Sequence, residues 1–480
     1  MSVLVVDIGT SGVRAAAVGA DGTIAHSSYR QVLPTSPMQG FVEFDPAKLA
    51  SAAVEVASSV LSASGTVDAM GIANQRASTI LWDRATGSPV GPGIGWQDLR
   101  TVGMCLMLRS DGIFLAPNAS ASKLVALLEM ADQDRQRDLC FGTVDSYVAF
   151  VLSKGALHVT DHTNAAVTGL VDPSATSWDL ELCDALRIPR SVLPRIVASS
   201  GPIGRATLLD GAPELAGIAG DQQASLVGQG CLSAGEAKAT FGTGAMLDCC
   251  VGTTRPDFER RGAAGTFPIV AFSDSTGLTW GLEAVMLSAG TCVEWLRDDL
   301  GLIQSAAEVE TLACSVPDSG GVYFVPALLG LGTPVWDFGA RGTMLGISRG
   351  TTAAHVARAA LEGIAHRGAD LLEAAVADSG LEITTLRVDG GMSGNDLFLQ
   401  MLADASGARI EVSAISEATT LGAAFLAGAS SGLWPSLGAA AEHRQVRRTL
   451  VPRHRVDRDR WAEARSRAEK WVPELSSLEF

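Results

Sequence analysis

At 480 residues, with 47% hydrophobic and 18% charged residues, the chain is long enough for two or three packed domains and too apolar to be disordered. Its 36 Lys and Arg stand against 52 Asp and Glu, a net charge of −16 that argues against broad binding to nucleic acid or to anionic membranes. An anionic small molecule is still admissible, because backbone amides and a metal can hold one locally. The eight cysteines are scattered without a C-x-x-C pair, so they read as buried thiols rather than a disulfide frame or zinc site. Met1 to Asp7 has neither a basic region nor a cleavage site, and the longest apolar run, 322–331, is too short to span a bilayer. A cytoplasmic protein is expected.

In chain order, Val3–Val6, Ala15–Val18 and Ile24–Tyr29 read as an antiparallel meander. Its first turn, Gly9-Thr-Ser-Gly12, can aim N–H groups and hydroxyls at one anion, or be a plain hairpin turn. Asp7 beside it is an odd neighbour for a phosphate nest unless a cation lies between them. Asp45 and Pro46 open a helix to Leu61. Val67–Ala73 is a strand ending in Asn74-Gln-Arg76, and Thr79–Trp82 reads as its hairpin partner or continuation. Trp96 to Arg100 opens a further helix, with Asp98 either its cap or a site residue. Helices follow at 121–131 and 144–152, with a polar loop over Thr160–Asn164.

Near the middle, an apolar approach, Leu215–Ala219, ends in Gly220 and is followed by Asp221, Gln222 and Gln223 and a small-residue helix. Asp221 is either a helix cap or a functional carboxylate, since a glycine before an acid lets a ligand come close. Ala239 to Val251 again sets a Gly-Thr-Gly turn, 242–244, between two apolar strands, echoing residues 5–18. Two such copies suggest duplicated domains facing one another. A strand at 266–272 and alanine-rich helices at 284–300, 352–376 and 419–428 follow. Leu386–Asp389 is a strand running into Gly390-Gly391-Met-Ser-Gly-Asn395 and a helix at 396–406. The arginine-rich region 443–470 reads as a solvated helix with a tail.

Asp337-Phe-Gly339 and Ala212-Pro-Glu214 spell protein-kinase triplets, but in the wrong order and without H-R-D. No lysine follows a glycine, which removes the P-loop.

Taken together, the motifs resemble the FGGY family of carbohydrate kinases, within the actin-like ATPase superfamily, and its glycerol-kinase branch in particular. The resemblance runs from about Val3 to Gly432. It rests on Asp7-Ile-Gly-Thr-Ser-Gly-Val-Arg14, Gly40-Phe-Val-Glu-Phe-Asp-Pro46, Asn74-Gln-Arg76, Trp96-Gln-Asp98, Ser122-Lys-Leu124, Phe141-Gly-Thr143 and Thr160-Asp-His-Thr-Asn164. It continues through Gly220-Asp-Gln-Gln-Ala224, Phe241-Gly-Thr-Gly244, Gly330-Leu-Gly-Thr-Pro-Val-Trp336, Leu361-Glu-Gly363, Asp389-Gly-Gly391 and Leu421-Gly-Ala-Ala424. Each piece is short; their order and spacing carry the resemblance.

The resemblance implies an α/β fold of two actin-like (ribonuclease H-like) domains, 1–228 and 229–440, with an ATP cleft between them and a C-terminal helix and tail at 441–480. It implies transfer of the γ-phosphoryl group of ATP to a hydroxyl of a small polyol or sugar. Asp221 is then the general base, and Asp7, with Asp221, holds Mg²⁺. The phosphates lie against Thr10, Ser11, Gly12 and Arg14 and against Gly242 and Thr243, the adenosine against Gly391 and Asn395. Arg76, Ala77, Trp96, Asn118, Asp221, Gln222 and Met246 form the acceptor pocket. The partner is a small molecule, not nucleic acid or membrane, and the resemblance allows a homodimer.

Three positions depart from the glycerol-kinase pattern. Ala77 stands where that branch has a glutamate, Asn118 where it has a tyrosine, and Met246 where it has a phenylalanine. Losing a carboxylate that accepts hydroxyl hydrogen bonds is worth about 1–3 kcal/mol, so a tetritol, pentitol or ketopentose is favoured over glycerol. The alternatives are glycerol kinase proper, a non-catalytic ATP-binding relative, and a chaperone- or actin-like ATPase. Asp221 argues against the second, because nucleotide binding alone needs no base there, and Arg76 with Trp96 argues against the third.

Overall fold

The computed structural model describes residues 2–258, 260–415 and 417–478. Two central sheets carry the chain. The first holds β1 (Ser2–Ile8), β2 (Gly12–Gly19), β3 (Ile24–Gln31), β4 (Ala69–Asn74), β5 (Ser200–Arg205) and β6 (Glu214–Gly220), in the order β5-β6-β4-β1-β2-β3. The second holds β7 (Ala237–Phe241), β8 (Ala245–Gly252), β9 (Phe267–Asp274), β10 (Gly277–Met286), β11 (Thr385–Asp389), β12 (Arg409–Ser413) and β13 (Val446–Leu450). Its order is β9-β10-β8-β7-β11-β12-β13. In the first sheet β1 pairs antiparallel with β2 and parallel with β4, which is parallel to β6. In the second β7 pairs antiparallel with β8 and parallel with β11, which is parallel to β12. The two sheets therefore repeat one topology, and the echo between residues 5–18 and 239–251 marks equivalent strands. This is the two-domain α/β architecture expected from the motifs.

A helix from the second half ties the two together. Ala418–Ser431 lies on the first sheet and against the helix Asp221–Gly228. Small residues permit the approach: a Cβ added at Gly71 would lie 2.5 Å from the Ala423 carbonyl oxygen, and one at Gly217 would lie 2.7 Å from the Ala427 nitrogen. Val3, Val5, Ala216, Ala224, Leu421, Phe425 and their neighbours form one shared core across this seam.

Several elements differ from expectation. Residues 284–286 continue β10, and the helix spans only Gly290–Asp298. Leu282, Ala284 and Met286 alternate into the core, a period of two that the alanine-rich composition hid. Trp96–Arg100 is a turn, and its helix starts at Val102. The turn is held by fully buried Asp98, which accepts the Val42 N–H at 2.6 Å and pairs with Arg100 at 2.8 Å, so Asp98 is not a cap. Ile80–Asp83 pairs with Leu139–Gly142 rather than with the strand before it. Thr160–Asn164 is a strand end and a short helix capped by Asp161.

The C-terminal region is not a solvated helix with a tail. Val446–Leu450 adds β13 to the second sheet, and the helix Arg458–Ser466 buries Trp461. That indole stacks on His366 at 4.8 Å and donates to Asp370 at 3.1 Å. Asp370 also receives Arg367 at 2.7 Å and Arg465 at 2.9 Å. Seven of the eight cysteines are buried and Cys314 is exposed; all are free thiols.

Burial holds His158 and His366 down at about 4, so both stay neutral in the fold. The unfolded chain takes up these protons first, so stability is retained above the ordinary histidine pKa and lost as pH falls toward about 4. Urea unfolding should show a lower midpoint at about pH 5 than at about pH 7.5, with a smaller drop in His366→Phe. An unchanged midpoint would contradict this.

Candidate active site

Open α/β sheets form sites beyond the carboxyl ends of adjacent parallel strands. In the first sheet those are β6, β4 and β1, and they deliver Asp221, Arg76 and Asp7 side by side. In the second, β7, β11 and β12 end at the 242–244 turn, at Gly390-Gly391 and just before Glu417. Both sets face one cleft, because ion pairs cross it: Arg14 meets Glu417 at 3.1 Å, and Arg76 meets Glu283 at 2.7 Å.

Asp221 is the first residue of its helix, and Gly220 occupies the cap position, its N–H donating to Thr163 Oγ1 at 2.8 Å. The simple-cap reading of Asp221 therefore fails. Among the described residues its carboxylate accepts only the Gln222 N–H, at 2.8 Å, and it lies 3.6 Å from the Arg76 guanidinium. Burial raises its pKa and Arg76 opposes the rise. Asp7 is pushed up to about 7 by burial and by the negative charges of Asp221 and Glu417, with Arg14 working the other way. Arg76 is raised: burial pulls it down, but Glu283 and Asp221 outweigh that.

The first turn is braced from the acceptor side. Trp96 donates its indole N–H to Thr10 Oγ1 at 3.3 Å, and Gln75 donates to the Gly9 carbonyl at 3.2 Å. Ser11 accepts the Val32 N–H at 3.0 Å, and Gly12 opens β2, packed under Tyr29 and Arg30. Ala77 is buried with φ at 59°, its carbonyl taken by Thr79 and Ser120. Asn118 is exposed on a loop gripped by buried Lys123, whose ammonium donates to Pro117 O at 2.9 Å and Ala119 O at 3.1 Å. Burial lowers Lys123 to about 7. Asn395 caps the helix Asp396–Ser406, accepting the Phe398 N–H at 2.8 Å.

Sequence reasoning missed four charged groups: Lys238, Asp248, Glu283 and Glu417. The first three lie directly opposite one another on β7, β8 and β10. Each is a single charge inside an apolar strand, a signal that was present but has no partner in local sequence. Lys238 donates to Gln222 Oε1 at 2.6 Å and pairs with Asp248 at 2.7 Å, both fully buried. Met246 shares their face, two residues before Asp248.

The glycines divide into two kinds. At Gly244 an added Cβ would lie 2.6 Å from the Met286 carbonyl oxygen, so the protein itself demands glycine. At Gly391 it would meet no protein atom within 4 Å, and at Gly242 only the Gly244 oxygen at 3.9 Å. Neither has a positive φ. These two face open space.

Residues 2–228 match the N-terminal domain, and residues 237–431 the C-terminal domain, of the FGGY family of carbohydrate kinases. The chain belongs to that family. It is therefore a phosphotransferase with an alcohol group as acceptor. Glycerol kinase of Burkholderia pseudomallei is 42% identical over 470 residues, spanning 94% of this chain and 93% of its own. Glycerol kinase of Aromatoleum aromaticum is 41% identical over 494 residues, spanning 98% and 99%. Plasmodium falciparum glycerol kinase, solved with ADP, superposes with a TM-score of 0.89 at 27% identity, covering 100% of this chain and 99% of its own. A ligand-bound xylulose kinase from Lactobacillus acidophilus shares the fold, with a TM-score of 0.84 at 21% identity and coverage of 98% and 97%. No helix among the described residues is long and apolar enough to cross a membrane.

Gly244→Ala should lower the melting temperature by several degrees, and Gly391→Ala should leave it within about a degree, measured by thermal unfolding. Equal losses would remove the distinction between the two kinds of glycine.

Proposed function

We propose that this kinase transfers the γ-phosphoryl group of ATP to a hydroxyl of a small polyol, with a tetritol or pentitol favoured over glycerol and a ketopentose admissible. The observation that carries the reading is the convergence of Asp7, Arg76 and Asp221 at three adjacent strand ends, facing the second sheet's glycine turns. Asp221 is the general base. Gln222 N–H and Arg76 fix one carboxylate oxygen, and among the described residues the other has no in-chain hydrogen bond. Burial strengthens it as a base, while Arg76 keeps it ionised enough to act. Arg76, Trp96 and Gln222 orient the acceptor, with Ala77, Met246 and the Asn118 loop bounding the pocket.

Thr10, Ser11, Gly12 and Arg14 hold one end of the polyphosphate, and Gly242 and Thr243 hold the other. Gly391 and Asn395 face the adenosine; the open space at Gly242 and Gly391 is the room such a ligand needs. Burial and the negative charges of Asp221 and Glu417 raise the proton affinity of Asp7, a setting that suits a divalent cation. Among the described residues no His, Cys, Asp or Glu cluster forms a full metal cage. Magnesium keeps much of its water shell and takes one or two carboxylates plus phosphates. Asp7 would hold it, with Asp221 near; bound there, it neutralises charge on the transferring group. Closure of the two domains around both ligands would exclude water and suppress idle hydrolysis.

The absence of a carboxylate at position 77 supports the longer acceptor. Glycerol itself is the second reading, favoured by the relatives named glycerol kinase. ADP release with Mg-ATP against glycerol, erythritol, threitol, the pentitols, xylulose and ribulose separates the two. Four- or five-carbon polyols should show the higher kcat/KM, and glycerol ahead of all would return the enzyme to the second reading. Asp221→Asn should cut transfer by about 10²–10⁴-fold while ATP affinity, read by calorimetry, stays within a few-fold. Normal turnover in that variant would remove Asp221 as the base.

A further inference from the structure

Lys238 is unusual among the chain's charges. It sits in the middle of β7, fully buried, yet it faces the cleft side of the sheet rather than the core side, where Ala237, Ala239 and Phe241 pack. Its ammonium donates to Gln222 Oε1 at 2.6 Å and to Thr240 Oγ1 at 3.0 Å, and it forms an ion pair with the Asp248 carboxylate at 2.7 Å. Burying an ion pair completely is costly, and replacing one with apolar residues is often neutral or stabilising. Stability alone therefore does not account for the pair.

Gln222 follows the base. Its carbonyl oxygen is committed to Lys238, and its amide nitrogen makes no hydrogen bond within the chain among the described residues. A glutamine amide is nearly symmetric in shape but not in chemistry: one end accepts and the other donates. An ammonium can only donate, so it selects the rotamer that turns the oxygen toward the sheet and leaves NH₂ for the cleft. The same row of the sheet acts on the neighbouring group. Glu283, opposite Asp248, holds Arg76 Nη2 at 2.7 Å, while Arg76 Nε lies 3.6 Å from Asp221.

We propose that Lys238, kept charged and in place by Asp248, is a positioning residue that fixes the Gln222 amide as a hydrogen-bond donor to an acceptor hydroxyl. The second domain's sheet thereby sets the polarity of a pocket whose other groups come from the first. The inference rests on the acceptor role of Gln222 given above. Lys238 makes its side-chain contacts to Asp248, Gln222 and Thr240, and its charge, which lowers the Asp221 pKa while that of Asp248 raises it, leaves together with its partner in the double variant below.

The test uses full-length enzyme and whichever acceptor of the panel the wild type phosphorylates fastest. Lys238→Met alone strands Asp248 and can fail to fold, so the informative variant is Lys238→Met with Asp248→Leu, which removes both charges at nearly constant volume. Its melting temperature should equal or exceed that of the wild type. Its KM for the acceptor should rise about tenfold or more, with KM for ATP within about twofold, as expected for losing one oriented hydrogen bond. Gln222→Ala should show the same rise, and adding the double substitution to it should change KM no further. A wild-type acceptor KM in the folded double variant, or additive effects with Gln222→Ala, would overturn the proposal. Neutron crystal structures of the wild type and the double variant, which tell the amide NH₂ from its oxygen, give a reading that needs no turnover. A Gln222 side chain that keeps its orientation without Lys238 overturns the proposal even if the wild type phosphorylates nothing in the panel. That last result by itself would instead count against the proposed function.

Discussion

The site depends on how closely two helices cross. Gly228 and Gly422 bring the helices Asp221–Gly228 and Ala418–Ser431 into backbone contact, closer than any larger side chain permits. Both helices begin at the cleft, and Thr419 Oγ1 donates to the Asp221 carbonyl at 3.4 Å across the crossing. The contact therefore sets the distance between the first domain's Asp221 and the second domain's Glu417. Asp389 adds a polar tie, accepting from Ser225 at 2.9 Å and Gln229 at 2.8 Å. The glycine-bearing strand end at 389–391 is thus registered against the helix that starts with Asp221.

Charge is concentrated at both ends of this crossing. Asp7, Asp221 and Glu417 repel one another at one end of it. At the other, Lys238, Asp248, Glu283, Arg76 and Asp221 form a chain of alternating and like charges, with Lys238 and Asp248 fully buried. Asp248 is pushed up to about 6 by burial and by Glu283, with Lys238 holding it down. Buried ionic groups of this kind cost stability in the empty protein and are compensated by geometry and by ligand. The apolar alternative, a sheet face of Leu and Val, would pack as well but could not tell a hydroxyl from a methyl.

Much of this was legible in the amino-acid order. The glycine-threonine turns, the strand ending at Gly220 and the helix at 396–406 all announced themselves, because turn chemistry and hydrophobic period are local. The duplicated topology was legible for the same reason: each half repeats a strand, a small-residue turn and a strand. Local pattern failed where a long-range partner overrode it. Asp98 reads as a helix cap until Val42 and Arg100 are brought to it. The arginine-rich C-terminal segment reads as solvated until Asp370 and His366 are seen to receive it.

The sequence by itself determined the family and the class of chemistry and singled out Asp221 as the candidate base, since these rest on short motifs whose residues are neighbours in the chain. Only the tertiary structure decided which charges share the pocket. Lys238, Asp248 and Glu283 come from three strands, and nothing in their separate surroundings distinguishes a buried ion pair from a surface charge on an amphipathic strand. Their meaning is set by cross-strand register and by the first domain's Gln222 and Arg76 arriving opposite them. Electrostatic effects depend on distance and on exclusion of water, and both are properties of the assembled fold.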